Sequence, residues 1–298
     1  MRYNITAATG NLGSKIVEEA LKHIAPEKLI LTVRNPHKAA QFQQQGIQIR
    51  QANYRSEQEL ASAFKDTDVL IYIPSLTFPS VSRIMEFENA MIAAEKMNVK
   101  QFLFIGFMAD QGNNPFKMSP FFGYVQRRLA SGTVPYTYIR NGMYSDPLPP
   151  YLPELARRGK ILYPVADERI SFISRKDLST AIVQIALRED LHNQEHTLTG
   201  TKAWSMEELA QLFTQISGSP IVYAPLSNDE FASTYDEPKG FGSVLASLYQ
   251  AAAKGLMSEV TDDFERITGK PAENLDSYVG REYRKLMGSH FKRPNSRI

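Results

Sequence analysis

The first thirteen residues restrict the fold more than any other stretch of this chain. An apolar run at residues 3–7 stops at Ala8-Thr9-Gly10-Asn11-Leu12-Gly13, and a helical pattern takes over across 12–23. A strand that breaks on glycines directly into a helix opens a β-α-β unit, whose next strand returns parallel to the first. The rhythm then continues. Strand-like runs at 29–33, 47–51, 69–73, 101–105 and 136–139 alternate with helical stretches at 36–45, 57–64, 81–98 and 120–131. Each helical stretch is long enough to cross over a sheet. This alternation specifies an α/β fold: a Rossmann-type doubly wound parallel sheet, covered by helices on both faces.

After Arg140 the rhythm changes. Asp146-Pro147-Leu148-Pro149-Pro150-Tyr151-Leu152-Pro153 is dense in proline and reads as extended or turn-like. Beyond it the chain is mostly helical. Ser174-Arg175-Lys176-Asp177 opens a helix over 177–188, and Ser205-x-x-Glu208 is a capping box ahead of 209–216. Further helical stretches follow near 242–255 and 258–267. The expected organisation is a nucleotide-binding domain over 1–145 and a smaller, helix-rich C-terminal lobe over 146–298. The two are not strictly sequential and may share strands, and the lobe is expected to close over the carboxyl ends of the strands.

Composition removes several function classes. The chain has no cysteine, which excludes disulfides, a thiolate nucleophile and Cys-based metal centres. His192 and His196 have helical metal-pair spacing, but Asn193-Gln194 and Thr197-Leu198-Thr199 read as a loop entering a strand, so no metal site is expected. A net charge of +2 argues against nucleic acid as a partner of the whole molecule. The basic cluster Arg281, Arg284, Lys285, Lys292, Arg293 and Arg297 reads as a solvated tail. No apolar run approaches a membrane span. The first strand begins at the first residues, leaving no room for a signal peptide, and a cytoplasmic protein is expected.

The opening turn has a specific chemical use. Gly10 lets backbone approach a diphosphate, Gly13 lets the helix lie close to the first strand, and the helix N-terminus meets the phosphate charge. Thr6, Thr9, Asn11 and Leu12 complete the expected contact set. Ala7 stands where such turns usually carry a first glycine; an alanine fits freely only at negative φ and otherwise costs about 1–2 kcal/mol. At the end of the second strand, NAD-preferring proteins place an acid on the adenosine ribose. Here the chain reads Val33-Arg34-Asn35-Pro36-His37-Lys38, with no acid. Arg34 is placed to clamp a 2′-phosphate, with Lys38 as a second cation. NADP(H) is therefore expected over NAD. By position alone, Asn53 and Tyr54 would border the adenine, and Ile73, Pro74 and Ser75 would pass under the nicotinamide ribose.

With these residues in hand, the chain resembles the NmrA-like atypical short-chain dehydrogenases, close to the type 2 NAD(P)H:quinone oxidoreductases. The resemblance rests on Ala8-Thr9-Gly10-Asn11-Leu12-Gly13, Val33-Arg34-Asn35-Pro36, Gln51-Ala52-Asn53-Tyr54, Tyr136-Thr137-Tyr138-Ile139-Arg140-Asn141-Gly142-Met143-Tyr144, and Leu198-Thr199-Gly200 followed by Trp204. It implies NADPH on the first half and a quinone or other small electron acceptor entering between the lobes. The same fold hosts nucleotide-sugar epimerases and proteins that bind the cofactor but catalyse nothing.

The catalytic positions depart from the family's pattern. Short-chain dehydrogenases usually place Ser or Thr after the fifth strand and Tyr-x-x-x-Lys on the next helix. This chain has Gly106 in place of the hydroxyl, and Phe122 where atypical members often carry Lys or His. It offers Tyr124-x-x-x-Arg128 instead, on one helical face, with the guanidinium as a fixed charge that cannot relay a proton. Tyr124 and Arg128 are the catalytic candidates, and Gly106 borders the cofactor. Phe107, Phe122, Asn141 and Tyr144 are the substrate candidates; with Phe121, Tyr124 and Tyr151, the aromatics among them would line one flat apolar pocket. Two readings follow. In the first, the protein reduces a quinone-like or other small acceptor with NADPH; in the second, it is a non-catalytic NADP(H) sensor with a protein partner. Nucleotide-sugar epimerisation ranks third.

Overall fold

The computed structural model of the chain describes residues 1–290. Its backbone divides into two compact units, the first made of Met1–Asn141, Arg175–Leu198 and Asp263–Lys270. Strands β1 (Tyr3–Thr6), β2 (Leu29–Val33), β3 (Gln48–Gln51), β4 (Val69–Tyr72), β5 (Gln101–Phe107) and β6 (Tyr136–Asn141) carry the sheet. Helices α1 (Asn11–Ala20), α2 (Ala40–Gln43), α3 (Glu57–Phe64), α4 (Ser80–Lys96) and α5 (Ser119–Ala130) connect them. Two later segments join this unit: α7 (Arg175–Leu187) with β10 (Glu195–Leu198), and α11 (Asp263–Thr268).

The seven strands run in the order β10-β6-β5-β4-β1-β2-β3, every neighbouring pair parallel. The order reverses between β1 and β4, so the two connections leaving these strands diverge to opposite faces and open a crevice at their carboxyl ends. Helices α1 and α7 pack together, while α3, α4 and α5 pack in a row. Strands covered on both faces must be apolar throughout. Accordingly β1, β2 and β4 are buried at every position, whereas β3, at the sheet edge, is exposed at both ends and half-buried between. Between the sheet and α4–α5 lies an aromatic core of Tyr72, Phe87, Phe102, Phe104, Phe121 and Tyr138, all buried. Phe87 meets Phe104 edge-on at 5.6 Å, while Tyr72 and Tyr138 stack on Phe104 at 6.1 and 5.2 Å, and each ring contributes about 1.5–3 kcal/mol by burial.

The second unit comprises Gly142–Ser174, Thr199–Asp262 and the described residues from Pro271 onward. It holds β7 (Met143–Tyr144), α6 (Leu148–Arg158), β8 (Lys160–Ile161), β9 (Arg169–Ile173), β11 (Ala203–Ser205), α8 (Met206–Ser217), β12 (Val222–Tyr223), α9 (Asn228–Thr234), α10 (Phe241–Ala252) and α12 (Leu275–His290). β9 pairs antiparallel with β11 and parallel with β7, and β8 pairs with β12. The capping box at Ser205 and Glu208 starts α8. No helix among the described residues is long and apolar enough to cross a membrane.

Two sequence expectations are corrected here. The proline-dense stretch is helical from Leu148, not extended. Pro149 and Pro150 occupy the first turn, where backbone N–H groups have no intrahelical acceptor, so only Pro153 costs the helix a bond. Where it is described, the basic cluster lies on a helix rather than in a tail, with Arg284 and Lys285 exposed to solvent. Arg281 lies on α12 and pairs with Glu273 at 2.5 Å and Glu282 at 2.9 Å, and Lys285 pairs with Glu282 at 2.8 Å. Lys292, Arg293 and Arg297 lie outside the described residues.

Candidate functional site

The crevice at the sheet's switch point is built by the β1–α1 turn. Gly10 N–H donates to the Ala7 carbonyl at 2.9 Å, and Ser14 N–H donates to Gly10 O at 2.9 Å, so the chain turns within four residues. Gly13 sits against that turn. A Cβ there would lie 2.3 Å from Ala7 O and 2.9 Å from Ala8 Cα, both backbone atoms. A Cβ on Gly10 would lie 3.2 Å from Ala7 O. Gly10 caps α1 without a side-chain hydrogen bond, leaving the first-turn N–H groups to face outward as an anion cradle. The turn thus fits a diphosphate.

Ala7 holds φ +48°, in the left-handed region. The free fit at negative φ does not occur, and the turn stores about 1–2 kcal/mol of strain at this methyl-bearing position. Leu12 is buried in the core; at the turn Gly10 and Asn11 are exposed, and Ala7 and Thr9 half-buried. Thr6 is fully buried and stitches β1 to β4: its hydroxyl accepts from Ile73 N–H at 2.9 Å.

Arg34 and Lys38 are both exposed beyond the end of β2, and neither makes an ion pair among the described residues. Between them Asn35 caps a short turn by accepting from His37 N–H at 3.1 Å. Gln51 donates to Arg34 O at 3.3 Å, anchoring the loop's backbone while the guanidinium stays outside. After β3, Asn53 is exposed and accepts from Arg55 N–H at 3.0 Å. Tyr54 turns inward. Its hydroxyl donates to Ile73 O at 2.7 Å and its ring lies 5.1 Å from Tyr72; burial pushes the phenol well above its ordinary range. It positions the end of β4 through its side chain.

The segment Ile73-Pro74-Ser75 is held by a buried carboxylate that sequence reasoning missed. Glu86, on α4, accepts from the Ser75 hydroxyl and from the Thr77 hydroxyl at 3.1 Å. One turn earlier, Arg83 is buried too. It donates to Thr77 O at 3.0 Å and lies 5.3 Å from the Phe121 ring centroid, and burial lowers its pKa to about 10. The available signal was an Arg83-x-x-Glu86 pair on a helical face otherwise occupied by Phe87, Ala90 and Ala94.

The residues proposed for chemistry separate. Tyr124 donates to Glu88 at 2.6 Å, and Arg128 binds Glu88 at 3.1 Å and Glu95 at 3.2 Å. Both side chains therefore bridge α5 to α4. The Glu88 hydrogen bond, then burial, raises the Tyr124 pKa, so its proton is held rather than offered. Gly106 is buried, and a Cβ there would meet the Tyr138 ring and hydroxyl at 2.9 Å, so the tyrosine leaves no room for a side chain at this position. Phe107 packs on Phe116 and Phe122 at 6.1 and 6.0 Å. Asn141 is buried at the end of β6, where its carbonyl accepts from Met108 N–H at 3.1 Å. Phe107, Phe121 and Phe122 belong to the first unit, while Tyr144 and Tyr151 line a cavity of the second.

The loop after β5 has an anchor that also escaped sequence reading. Arg140 donates to both Asp110 oxygens, at 2.8 and 3.1 Å, and to Thr197 at 2.9 Å, all buried. Thr197 comes from β10, so this ion pair ties the late strand to the loop. His192 and His196 each face a backbone carbonyl, of Ile185 at 2.9 Å and Leu191 at 2.8 Å.

A doubly wound sheet with an uncapped glycine turn at its switch point is shared by many proteins, but a family model narrows it: the NmrA-like family model matches residues 3–292. The chain belongs to the NmrA-like family. One relative is quinone oxidoreductase 2 of Escherichia coli strain K12, 28% identical over 278 residues that span 92% of this NmrA-like chain and 96% of the relative. A Staphylococcus aureus structure, described as a nucleoside-diphosphate-sugar epimerase, matches with a TM-score of 0.91 and 40% identity, covering 94% of this chain and all of that one. The Citrobacter sp. triphenylmethane reductase complexed with NADP(H) matches at a TM-score of 0.88 and 25% identity, covering 94% and 99%. This NmrA-like chain thus has NAD(P)H-dependent oxidoreductases among its distant homologues.

Proposed function

We propose that this NmrA-like protein is an NADPH-dependent oxidoreductase that reduces a quinone-like or other small acceptor. The observation that carries it is the pairing, in one unit, of an uncapped glycine turn at the switch point with two exposed cations at the end of β2, Arg34 and Lys38, which make no ion pair among the described residues. The turn's N–H groups suit a diphosphate, and the cations suit a 2′-phosphate. Bound NADPH supplies the hydride. The chain's own groups bind and orient: Thr6 and Tyr54 hold the end of β4, and Glu86 fixes the Ser75 segment beside it. Hydride transfer to a quinone asks the protein mainly for alignment and exclusion of water. The engagement of Tyr124 and Arg128 with Glu88 and Glu95 is compatible with that reaction. It weighs against epimerisation, which needs a protein acid–base pair.

The same engagement, with Gly106 filled by Tyr138, favours a second reading: an NADP(H) sensor that turns nothing over and acts through a protein partner. Calorimetric titration with NADPH, NADP⁺, NADH and NAD⁺ tests the cofactor. NADP(H) is expected to bind more tightly, and Arg34→Ala to remove about tenfold or more of that preference, the worth of a charge-assisted hydrogen bond. Equal wild-type affinities refute the assignment of Arg34. NADPH oxidation with a quinone panel then separates reductase from sensor, since tight binding without turnover selects the sensor.

A further inference from the structure

Glu86 and Arg83, both buried on α4, bind the segment that follows β4. Glu86 accepts one hydroxyl at each carboxylate oxygen, from Ser75 and from Thr77. Thr77 N–H donates to the Ser75 hydroxyl at 3.1 Å, and Arg83 donates to Thr77 O at 3.0 Å. The segment starts against the end of β1, where Ile73 N–H reaches the Thr6 hydroxyl at 2.9 Å, so it runs beside the switch-point crevice. Arg55, from the loop after β3, lies 3.7 Å from Glu86 on the solvent side. One carboxylate therefore stands among two cations, with both its oxygens already engaged.

Between the two inward-turned hydroxyls stands Leu76. It is 91% exposed, the most exposed large apolar side chain among the described residues. Polar groups inside and a leucine outside reverse what folding rewards. Burying a carboxylate and a guanidinium is costly even when both are hydrogen-bonded, and apolar residues could anchor a loop at lower cost. What this arrangement provides is one fixed conformation, in which a leucine is held out beside the crevice.

We propose that Leu76 packs on the nicotinamide ring and selects its reduced form, and that Glu86 is the positioning residue that holds Leu76 out. The proposal rests on the NADPH assignment above. The reduced ring is uncharged, whereas the oxidised ring carries a positive charge that must shed water to lie on a leucine. Glu86 does not compensate for that loss, because its oxygens are taken and Arg83 and Arg55 outnumber it. A weaker hold on the oxidised form also favours its release after turnover.

The test is calorimetric titration of the full-length protein with NADPH, NADP⁺ and 2′-phospho-ADP-ribose, which keeps every part of the cofactor except the nicotinamide. The wild type is expected to bind NADPH about tenfold more tightly than NADP⁺, the worth of covering part of one leucine. Leu76→Ser should remove most of that preference and leave the affinity for 2′-phospho-ADP-ribose unchanged. Glu86→Met, which fills a similar space and accepts neither hydroxyl, should do the same. Glu86→Gln, with one acceptor oxygen in place of two, should lie between. Joining Leu76→Ser to Glu86→Met should cost no more of the preference than Leu76→Ser alone, because Glu86 acts through Leu76. Melting temperatures report the fold, and Leu76→Ser, a surface change, keeps the test decisive if Glu86→Met is unstable. Equal NADPH and NADP⁺ affinities in the wild type overturn the proposal. So does a preference that survives Leu76→Ser, or an equal loss of 2′-phospho-ADP-ribose affinity in that variant. A wild type that binds none of the three refutes the NADPH assignment itself.

Discussion

Gly13→Ala probes the geometry on which the nucleotide site depends. The added Cβ would sit 2.3 Å from Ala7 O and 2.9 Å from two further backbone atoms, where no flexible side chain can yield. Relief requires α1 to move off β1 by about 1 Å, and overpacking of this kind costs about 1–3 kcal/mol. With backbone on every contact the upper end applies. Against it stands the helix propensity gained on replacing glycine by alanine, about 1 kcal/mol. The net loss expected is about 2 kcal/mol, read as a lower urea midpoint by far-UV circular dichroism. The displaced N–H groups should also weaken NADPH binding by tenfold or more. Gly10→Ala is the internal comparison. Its Cβ would meet Ala7 O at 3.2 Å, a strain small enough to be met by slight adjustment, so stability should fall by no more than about 1 kcal/mol, the worth of an N-cap exchange. Binding should still weaken, since that Cβ stands where the diphosphate approaches. Gly13→Ala with wild-type stability and affinity would refute the argument that contact between α1 and β1 shapes the cradle.

Two further outcomes are expected. Ala7→Gly should stabilise the protein by about 0.5–1 kcal/mol in the same urea assay, because relief of left-handed strain exceeds the added entropy of the unfolded chain; a destabilised variant would show that the methyl group packs favourably. Tyr124→Phe should leave kcat with a quinone unchanged while costing about 1 kcal/mol of stability through the lost Glu88 bond; a tenfold fall in kcat would return Tyr124 to the chemistry.

Much of the first unit was readable in advance because its signals are local. Six of its seven strands announced themselves as apolar runs, and the helices between them by periodicity and caps. The seventh, β10, read only as a strand; nothing local said that it would pair with β6, since Tyr138 and Glu195 meet across 57 residues. Arg34 and Lys38 were legible because their place follows from the end of a strand. The hydrogen-bond partners of Tyr54 and Tyr124 were not legible, for the opposite reason. Each hydroxyl is claimed by a group far along the chain, Ile73 O in one case and Glu88 in the other. The helical Leu148–Arg158 was missed because proline was read by type rather than by its position in a first turn.

By itself, then, the amino-acid order determined the parallel sheet, the glycine turn at its start and the cation-bearing end of β2, since strand period, crossover length and backbone freedom are properties of neighbouring residues. Tertiary structure alone decided that Ala7 is strained, that Gly106 makes room for Tyr138, that Glu86 and Asp110 hold the loops, and that Leu76 stands exposed between two inward-turned hydroxyls. Each of these depends on which side chains from distant segments reach the same few ångströms, and burial then makes every unmet hydrogen bond there costly.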